Sequence, residues 1–438
     1  MYPIEFAAAT SNAVVIGGGG RTMTLKALTA SAEFKLELMF EGIRYSEALG
    51  CAAGHSFPNY YPYRFEPGEH DPTCKGKAAI PYLLTTDDGT LIRIKGNGKS
   101  HWSVTGSRET GYRLINGEDA DGGMGIRFEP LPAWMQQQTS DDFPMAQAGV
   151  SLHGDMAVIN VAPGCEFFLE KKDGVSMRCS FCAYGAPDQR TAHLGQVAGK
   201  TSLPGHTYAR MQETLRAALN ETDIRHIYLV GGSMTDWREE GLRFIEVARA
   251  IQETNSGRIP VACGSGALPP DVLEQLYVEK LVDNVCFNLE IWSEPLFEKV
   301  CPGKNNFVGY ARWIESLENA VKLWGRGRVY SAMVAGIELE PEYEMSWQGA
   351  ADLALQGAED LCSRGIIPIY SLYWPIGGRD HPDYLSRLRS YFERLALGYR
   401  AIREKYDLHI WDGFMCHRCA YMQLECDIDR AMDRAEGD

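Results

Sequence analysis

A regular alternation of apolar strands and amphipathic helices, beginning near residue 155, constrains the fold of this chain more than any other feature. Six short apolar runs predict strands at residues 156–163, 226–232, 259–266, 284–292, 328–338 and 366–374. Because these runs are apolar almost throughout, both faces of each strand should be buried, as in a parallel sheet covered by helices. The pattern predicts an α/β fold closed as a partial (β/α)6 barrel of the TIM type.

The intervening helices carry recognisable end signals. Apolar residues recur at helical spacing over residues 206–220, 237–254, 310–325 and 346–365, and a short helix begins at Pro270. Ser346 is the predicted N-cap of the last of these helices, and Gly365 its C-terminal stop. Gly257 is expected to end the helix over 237–254.

The length of 438 residues is too great for one ordinary core. Residues 1–150 carry many turn signals and predict an N-terminal β-rich domain, with a hairpin over 81–98 that turns at Asp88-Gly89. Residues 151–380 form the predicted barrel. Residues 381–438 predict a C-terminal helix followed by a cysteine-rich segment.

The chain has a net charge of -15, and its sequence shows no stripe of Lys and Arg of the kind that nucleic acid and anionic membranes require. No apolar run is long enough to span a bilayer, and the first residues lack a signal-peptide pattern. These features predict a cytoplasmic protein with neither nucleic acid nor membrane as a partner. In a reducing compartment, its twelve cysteines are not expected to form a disulfide framework.

Three cysteines lie in the loop after the first barrel strand, where such a barrel places its active site: Cys165, Cys179 and Cys182. Three thiolates on one loop suit three corners of a [4Fe–4S] cluster and leave the fourth iron open. Structural zinc is an equally good interpretation of the cysteines alone, with His193 nearby as a fourth ligand. A thioredoxin-like redox pair would have no need of Cys165.

Other strand ends carry groups that suit one elongated ligand. Gly231-Gly232-Ser233 ends the second strand and exposes backbone carbonyls that can accept hydrogen bonds from an ammonium group. Asn288 and Glu290 end the fourth strand, share one face by strand alternation, and can bind two ribose hydroxyls. Gly336 ends the fifth strand, where an adenine ring could lie close. The predicted ligand combines an amino acid, a ribose and an adenine.

In this ordered set of motifs, residues 155–378 resemble the radical S-adenosylmethionine (SAM) superfamily. Phe181, before the last cysteine, matches the family's aromatic position beside adenine. Gly231-Gly232-Ser233 resembles the family's Gly-Gly-Glu stretch for the SAM amino group. Asn288-Leu289-Glu290 looks like the Asn-Leu-Asp of biotin synthase, and Ala335-Gly336-Ile337 resembles its fifth-strand glycine motif.

Two departures accompany the resemblance. Thirteen residues separate Cys165 from Cys179, where the family pattern has three, so this insertion has to loop out. Ser233 replaces the usual acidic residue, so the contact to the amino group should come mostly from the backbone.

The resemblance implies an enzyme with a [4Fe–4S] cluster and SAM as cofactors. Reductive cleavage of SAM would give a 5′-deoxyadenosyl radical that abstracts hydrogen from a small-molecule biosynthetic intermediate. An external electron donor of the flavodoxin or ferredoxin type is the implied partner. Two alternatives stay open: a radical SAM enzyme that modifies a peptide, with residues 1–150 as its recognition domain, and a non-catalytic zinc or iron–sulfur scaffold or electron-transfer protein.

Four aromatic residues near predicted strand ends are substrate-side candidates: Tyr184, Trp237, Tyr370 and Tyr373. Ordinary aromatic packing is the competing interpretation of each, and the favoured one. Lys304, in the loop after the fourth strand, could meet a carboxylate, although a solvated side chain is the expectation.

A second group of cysteines lies near the end of the sequence: Cys416, Cys419 and Cys426. In a radical SAM protein such a group suggests an auxiliary iron–sulfur cluster. Structural zinc, with His417 or a distant cysteine as the fourth ligand, is the close competitor.

Overall fold

A computed structural model describes most of the barrel region and parts of both flanking regions. The described residues are 13–15, 22–24, 34–45, 60–64, 77–81, 83–87, 89–94, 97–117, 123–128, 132–162, 164–182, 205–373, 383–411, 413–414, 427 and 429.

Two series of strands follow one another along the chain. The first series is β1 (Ala13–Val15), β2 (Thr22–Thr24), β3 (Arg44–Tyr45), β4 (Tyr60–Arg64), β5 (Lys77–Pro81), β6 (Leu83–Thr86), β7 (Leu91–Arg93), β8 (Trp102–Ser107), β9 (Gly111–Asn116) and β10 (Met124–Arg127). The second is β11 (Val150–His153), β12 (Met156–Asn160), β13 (Lys171–Lys172), β14 (Val175–Ser176), β15 (His226–Val230), β16 (Val261–Ser265), β17 (Asn284–Phe287), β18 (Val329–Ala335) and β19 (Ile366–Leu372).

The described helices fall mostly in the barrel region. They are α1 (34–41), α2 (Gly205–Glu221), α3 (Trp237–Asn255), α4 (Pro270–Val278), α5 (Glu294–Val300), α6 (Pro302–Phe307), α7 (Tyr310–Trp324), α8 (Trp347–Ser363) and α9 (Tyr384–Lys405).

The barrel sheet has the order β11-β12-β15-β16-β17-β18-β19. β11 pairs antiparallel with β12 at one edge, and every other neighbouring pair is parallel. The sheet therefore curls into an open half-barrel, which confirms the predicted fold class. Side chains on β15 alternate: Ile227 and Leu229 are fully buried against helices, whereas Tyr228 and Val230 are half-buried on the inner face.

Capping chemistry explains where the barrel helices begin and end. Ser346 is the N-cap of α8 and its side chain accepts a hydrogen bond from the Gly349 amide, as predicted. Asp236 caps α3 in the same way, through the amides of Arg238 and Glu239. α3 ends at Ser256 in the left-handed conformation (φ 52°), one residue before the expected glycine.

The predicted fourth strand is shorter than the sequence pattern suggested. β17 ends at Phe287, and Glu290 has a left-handed backbone with φ of 71°. Strand alternation therefore does not place Asn288 and Glu290 on one face, and that part of the prediction is wrong. Glu290 is instead brought back to the sheet by an isolated bridge to Met333.

The N-terminal region contains a six-stranded sheet of order β3-β8-β9-β10-β6-β7. The hairpin predicted over 81–98 is confirmed, because β6 pairs antiparallel with β7 and Gly89 occupies its turn with φ of 87°. Residues 34–41 form a short helix, and Leu36, Met39 and Phe40 pack into the core.

Aromatic residues of the C-terminal region close the N-terminal end of the barrel. Phe414 stacks on Tyr330 of β18, with ring centroids 3.7 Å apart, and meets Tyr228 edge-on at 6.2 Å. The Trp411 amide donates to the Tyr330 hydroxyl at 3.1 Å, and Arg328 lies 3.5 Å from the Trp411 ring centre. The chain after α9 therefore packs into the end of the barrel opposite to the predicted active site.

Among the described helices, none has the length and apolar character needed to cross a membrane.

Candidate functional site

The cysteine loop folds as a turn, an exposed hairpin and a return to the barrel. Cys165 precedes a short 3-10 turn at Glu166–Phe168. β13 and β14 then form a hairpin whose turn residues, Asp173 and Gly174, both have positive φ, as a two-residue type I′ turn requires. The insertion between the first two cysteines thus loops out as the sequence predicts.

Hydrogen bonds fasten the start of this loop to the end of β15. The Glu166 amide donates to the Ser233 carbonyl at 2.9 Å, and the Glu166 carboxylate accepts from the Thr235 amide and hydroxyl at 2.7 and 3.0 Å. A Cβ on Gly232 would lie 2.6 Å from the Cys165 Cβ. Only glycine lets the two segments approach so closely, which gives the second of the predicted glycines a structural reason.

The Cys165 thiol lies beside the backbones of Phe167 and Ser233. Burial raises the pKa of the Cys165 thiol to about 12, whereas hydrogen bonds from the backbones of Phe167 and Ser233 act in the opposite direction. Negative charge on Cys179 or Cys182 would raise this pKa further, so the three thiols lie close enough to interact. Amide donors to sulfur are among the factors that tune an iron–sulfur cluster.

The end of the cysteine loop is fastened to the segment that joins α5 to α6. The Ser180 amide donates to the Val300 carbonyl, and the Gly303 amide to the Met177 carbonyl, both at 2.9 Å. The Cys301 thiol forms a hydrogen bond with Cys179 that lowers the pKa of Cys179, and Lys304 lowers it too. The site therefore favours the thiolate form of Cys179, which is the form that binds metal.

The donor set fits an iron–sulfur cluster by its chemistry. One loop carries three cysteines, backbone amides point at one sulfur, and a neighbouring lysine favours a second thiolate. Across the part of the chain that the structure describes, no three His, Cys, Asp or Glu side chains are already arranged around a metal position. Cys301 lies beside the Cys179 thiol.

Lys304 occupies the end of the fourth strand. Its ammonium group donates to the Asn288 carbonyl at 2.5 Å and to the Glu290 carboxylate at 2.7 Å, and its side chain is only 8% exposed. The ammonium also lies 4.8 Å from the Trp313 ring centre. The expectation of a solvated lysine is wrong, because a buried lysine needs a carboxylate partner and finds one here.

The charges around Lys304 act on one another. Burial would lower the pKa of Lys304, but the negative charges of Glu290 and Cys179 raise it above its ordinary value. Lys304 therefore stays protonated and links the predicted ribose-binding segment to the cysteine loop. One oxygen of the Glu290 carboxylate is engaged in this ion pair.

Two charged residues on the buried face of α3 shape the end of β15, and the sequence analysis missed both. The Glu240 carboxylate accepts from the Met234 amide at 3.0 Å and the Gly266 amide at 2.7 Å. Arg243 donates to the Gly232 carbonyl at 2.6 Å. The sequence does hold a signal for them, because both are charged residues at positions where the helical period predicts burial.

The end of the fifth strand is built around Gly336. Its φ of 97° favours glycine, and a Cβ there would lie 3.0 Å from the Leu388 side chain of α9. Glu338 lies beyond it, only 6% exposed, and accepts from the Gly336 amide at 3.0 Å. Burial raises the pKa of Glu338 to about 7.

The substrate-side candidates differ in position. Trp237 begins α3 at the cysteine end of the barrel and is half-buried. Tyr373 follows β19, with its amide bonded to the Ala335 carbonyl at 2.9 Å. Tyr370 points towards the helices, where its hydroxyl donates to the Ala354 carbonyl at 2.8 Å, so it serves packing. Tyr184, Cys416, Cys419 and Cys426 lie outside the described residues. Phe181 is half-buried against the core.

Two enzymes are similar in sequence to this chain. No protein-family model matches the sequence. The chain is 23% identical over 360 residues to the bacteriochlorophyllide c C-7(1)-hydroxylase of Chlorobaculum limnaeum, covering 78% of this chain and 82% of the hydroxylase. It is 24% identical over 233 residues to the probable dual-specificity RNA methyltransferase RlmN of Desulforamulus reducens, covering 53% of this chain and 61% of that protein.

A solved structure, a radical SAM methyltransferase from Sphaerobacter thermophilus, aligns with a TM-score of 0.36 and 14% identity over 78% of this chain and 75% of the methyltransferase. Independently of that alignment, the half-barrel joins its cysteine loop to the end of β15 and to the segment between α5 and α6, and its strands follow the expected order. Its motifs, its fold and its sequence relatives together indicate the radical SAM superfamily.

Proposed function

We propose that this protein holds a [4Fe–4S] cluster on Cys165, Cys179 and Cys182 and uses it to cleave SAM in the conversion of a small-molecule biosynthetic intermediate. When bound, the cluster and SAM supply one-electron cleavage of the sulfonium bond and a 5′-deoxyadenosyl radical that abstracts hydrogen from the substrate. The fastening of the cysteine loop to the end of β15 and to the segment between α5 and α6 carries this proposal, because Ser233 and Lys304 lie in those two segments.

The protein's own contribution is to position SAM. The Gly231-Gly232-Ser233 backbone is proposed to bind the SAM amino group, and Arg243 fixes this backbone by bonding to the Gly232 carbonyl. A carbonyl oxygen has a second lone pair, so that contact still allows an incoming ammonium group. Asn288 and Glu290 are proposed to meet the ribose, with Lys304 holding the Glu290 carboxylate in place. Phe181 and Gly336 are proposed to lie near the adenine.

The relatives and the charge of the chain bear on the substrate class. The name of one relative refers to a bacteriochlorophyllide, a small molecule, and that of the other to RNA. A net charge of -15 would repel an RNA backbone, so we favour a small molecule. Trp237 and Tyr373 are the described residues proposed to face it, near the open end of the barrel.

The roles of the flanking regions are part of the proposal. We retain the division into residues 1–150, 151–380 and 381–438. Cys416, Cys419 and Cys426 are proposed to bind a second iron–sulfur cluster, with zinc as the alternative that metal analysis separates.

The test begins with protein that is purified without oxygen and reconstituted with iron and sulfide. Iron, sulfide and zinc are counted per chain, and 5′-deoxyadenosine is quantified after addition of dithionite and SAM. We expect about four iron atoms from the barrel site, or about eight if the C-terminal cysteines hold a second cluster. Zinc without iron or 5′-deoxyadenosine would refute the proposal and favour a non-catalytic zinc scaffold.

Single cysteine variants test which residues hold the cluster. Replacing Cys165, Cys179 or Cys182 with alanine should remove the barrel-site iron and abolish 5′-deoxyadenosine formation. Cys362→Ala is the matched control, because Cys362 is a fully buried cysteine on α8. Iron loss in the control alone, or full activity in all three variants, would contradict the assignment.

A further inference from the structure

The insertion between the first two cysteines produces an exposed surface beside the proposed cluster. We call residues 169–178 the cysteine-loop hairpin. Residues 169–175 are exposed without exception, although both ends of the loop are fastened to the barrel. A two-residue turn with positive φ at both positions gives the hairpin a defined shape. The insertion therefore adds an ordered projection at the cluster site.

The hairpin presents large apolar side chains to solvent. Leu169 is 54% exposed and Val175 is 61% exposed. Within the described residues, the other exposed large hydrophobic side chains are Met124, Tyr277 and Val278. Single exposed apolar residues need no explanation, so Leu169 and Val175 carry weight only together with the position of the hairpin at the proposed cluster site.

The charge of the hairpin differs from that of the whole chain. Its exposed ionisable residues are Glu170, Lys171, Lys172, Asp173 and Arg178, three basic and two acidic. The chain as a whole has a net charge of -15. Three basic against two acidic side chains give the hairpin a charge opposite in sign to that of the whole chain, so electrostatic attraction favours the approach of an acidic protein at the hairpin.

We propose that the cysteine-loop hairpin is the docking site for an acidic one-electron carrier protein of the flavodoxin or ferredoxin class. In the encounter, one electron passes from the reduced carrier to the oxidised cluster, and no bond forms or breaks. The inference rests on the proposed function, because it presumes a cluster on the adjoining cysteines.

Size and position both suit this partner. Encounters for electron transfer bury little surface and are short-lived, which a small apolar patch with a basic rim can support. Electron transfer slows steeply with distance, so a carrier has to approach the cluster closely. The hairpin lies within the chain segment between Cys165 and Cys179, so a carrier bound to it sits beside two of the proposed ligands.

The test compares two reductants on the reconstituted holoenzyme. Sodium dithionite needs no docking surface, whereas a reduced flavodoxin does. For the double variant Leu169→Ser/Val175→Ser, we expect kcat/KM for flavodoxin-driven 5′-deoxyadenosine formation to fall by about tenfold or more, equivalent to about 1.4 kcal/mol. With dithionite, the rate and the iron content should stay unchanged. Stopped-flow loss of the cluster absorbance under flavodoxin gives a second readout, independent of SAM.

Matched variants separate the hairpin from general surface effects. Val278→Ser is the control for Val175→Ser, because Val278 is 66% exposed and ends α4 at the opposite end of the barrel. Lys171→Glu should weaken the flavodoxin reaction and make it less sensitive to added salt, since screening then has less attraction to remove.

Each remaining outcome is decisive. Unchanged flavodoxin kinetics in the hairpin variants, or an equal loss in Val278→Ser, would overturn the inference. A parallel loss with dithionite would show that the hairpin serves the cluster itself and would also overturn it. If the hairpin variants lose binding to an RNA oligonucleotide but keep wild-type flavodoxin kinetics, the hairpin binds nucleic acid and not an electron carrier. Absence of 5′-deoxyadenosine in the wild type with both reductants would be a failure of the proposed function.

Discussion

The two ends of the half-barrel are held together by different interactions. At the cysteine end, loops are joined by buried charged side chains: Glu166 binds Thr235, Glu240 binds two backbone amides, and Lys304 binds Glu290. At the opposite end, aromatic rings join the chain segments, with Phe414 stacked on Tyr330. Parallel barrels place chemistry at the carboxyl ends of their strands, and this chain concentrates its directional contacts there.

Because different interactions hold the two ends, we expect them to respond differently to mutation. Hydrogen bonds and ion pairs fix atoms in one geometry, which a cofactor site requires. Aromatic packing excludes water and tolerates more variation in geometry. Changes at the cysteine end should therefore reduce SAM cleavage, whereas changes at the aromatic end should mainly reduce stability.

Lys304→Met is expected to have the largest effect. It leaves the buried Glu290 carboxylate without its partner, which should cost about 3–5 kcal/mol of unfolding free energy and weaken SAM binding. Equilibrium binding of SAM and denaturant unfolding would measure the two effects. The double variant Lys304→Met/Glu290→Gln should recover much of the stability but not the binding. Wild-type SAM affinity in Lys304→Met would contradict the expectation that changes at the cysteine end impair the cofactor site.

Phe414→Ala tests the aromatic end. Phe414 is 6% exposed and packs between Tyr228 and Tyr330, so truncation should cost about 3–5 kcal/mol. Thermal unfolding measures the loss. At low temperature, the iron content and the 5′-deoxyadenosine yield per folded molecule should equal those of the wild type. A selective loss of activity without a loss of stability would contradict the division between the two ends.

Glu338→Gln tests a buried charge at the cysteine end through its pH dependence. Burial raises the pKa of Glu338 to about 7 from an ordinary value of 4.5, so the folded state holds this proton more tightly than the unfolded state. Its contribution to stability is present below pH 4.5 and is lost as the pH rises through about 7.

The glutamine variant should therefore be more stable than the wild type at pH 8 by up to about 3 kcal/mol, with little difference at pH 4.5. Unfolding curves across this range measure the difference. Glu342→Gln is the control, because Glu342 is exposed in the same segment. An identical pH dependence in the Glu338 variant and the wild type would show that the pKa of Glu338 is the same in the folded and unfolded states.

Gly232→Ala should have the smallest effect on stability. Its new Cβ would lie 2.3 Å from the Gly164 carbonyl oxygen, so the cysteine loop has to shift at a cost of about 1–3 kcal/mol. We expect reduced iron occupancy and an altered electron paramagnetic resonance spectrum of the reduced cluster. Gly257→Ala, at an exposed turn, should change stability without changing the spectrum.

The sequence by itself determined the architecture and the position of the cysteines. Apolar runs and capping residues such as Ser346 are local signals, and they predicted the six barrel strands and most helix ends. The cysteine loop followed from the same pattern, because carboxyl ends of parallel strands meet at one edge. The Asp173-Gly174 turn also depends only on its own backbone preferences.

Only the tertiary structure decided how the buried charges pair and how the barrel is closed. Lys304 with Glu290 and Arg243 with the Gly232 carbonyl are contacts set by how loops and helices pack, and no local spacing specifies them. The end of β17 at Phe287 likewise depends on the bridge from Glu290 to Met333. Phe414 meets Tyr228 across nearly half of the chain, because its burial depends on a cavity that exists only after the sheet has curled.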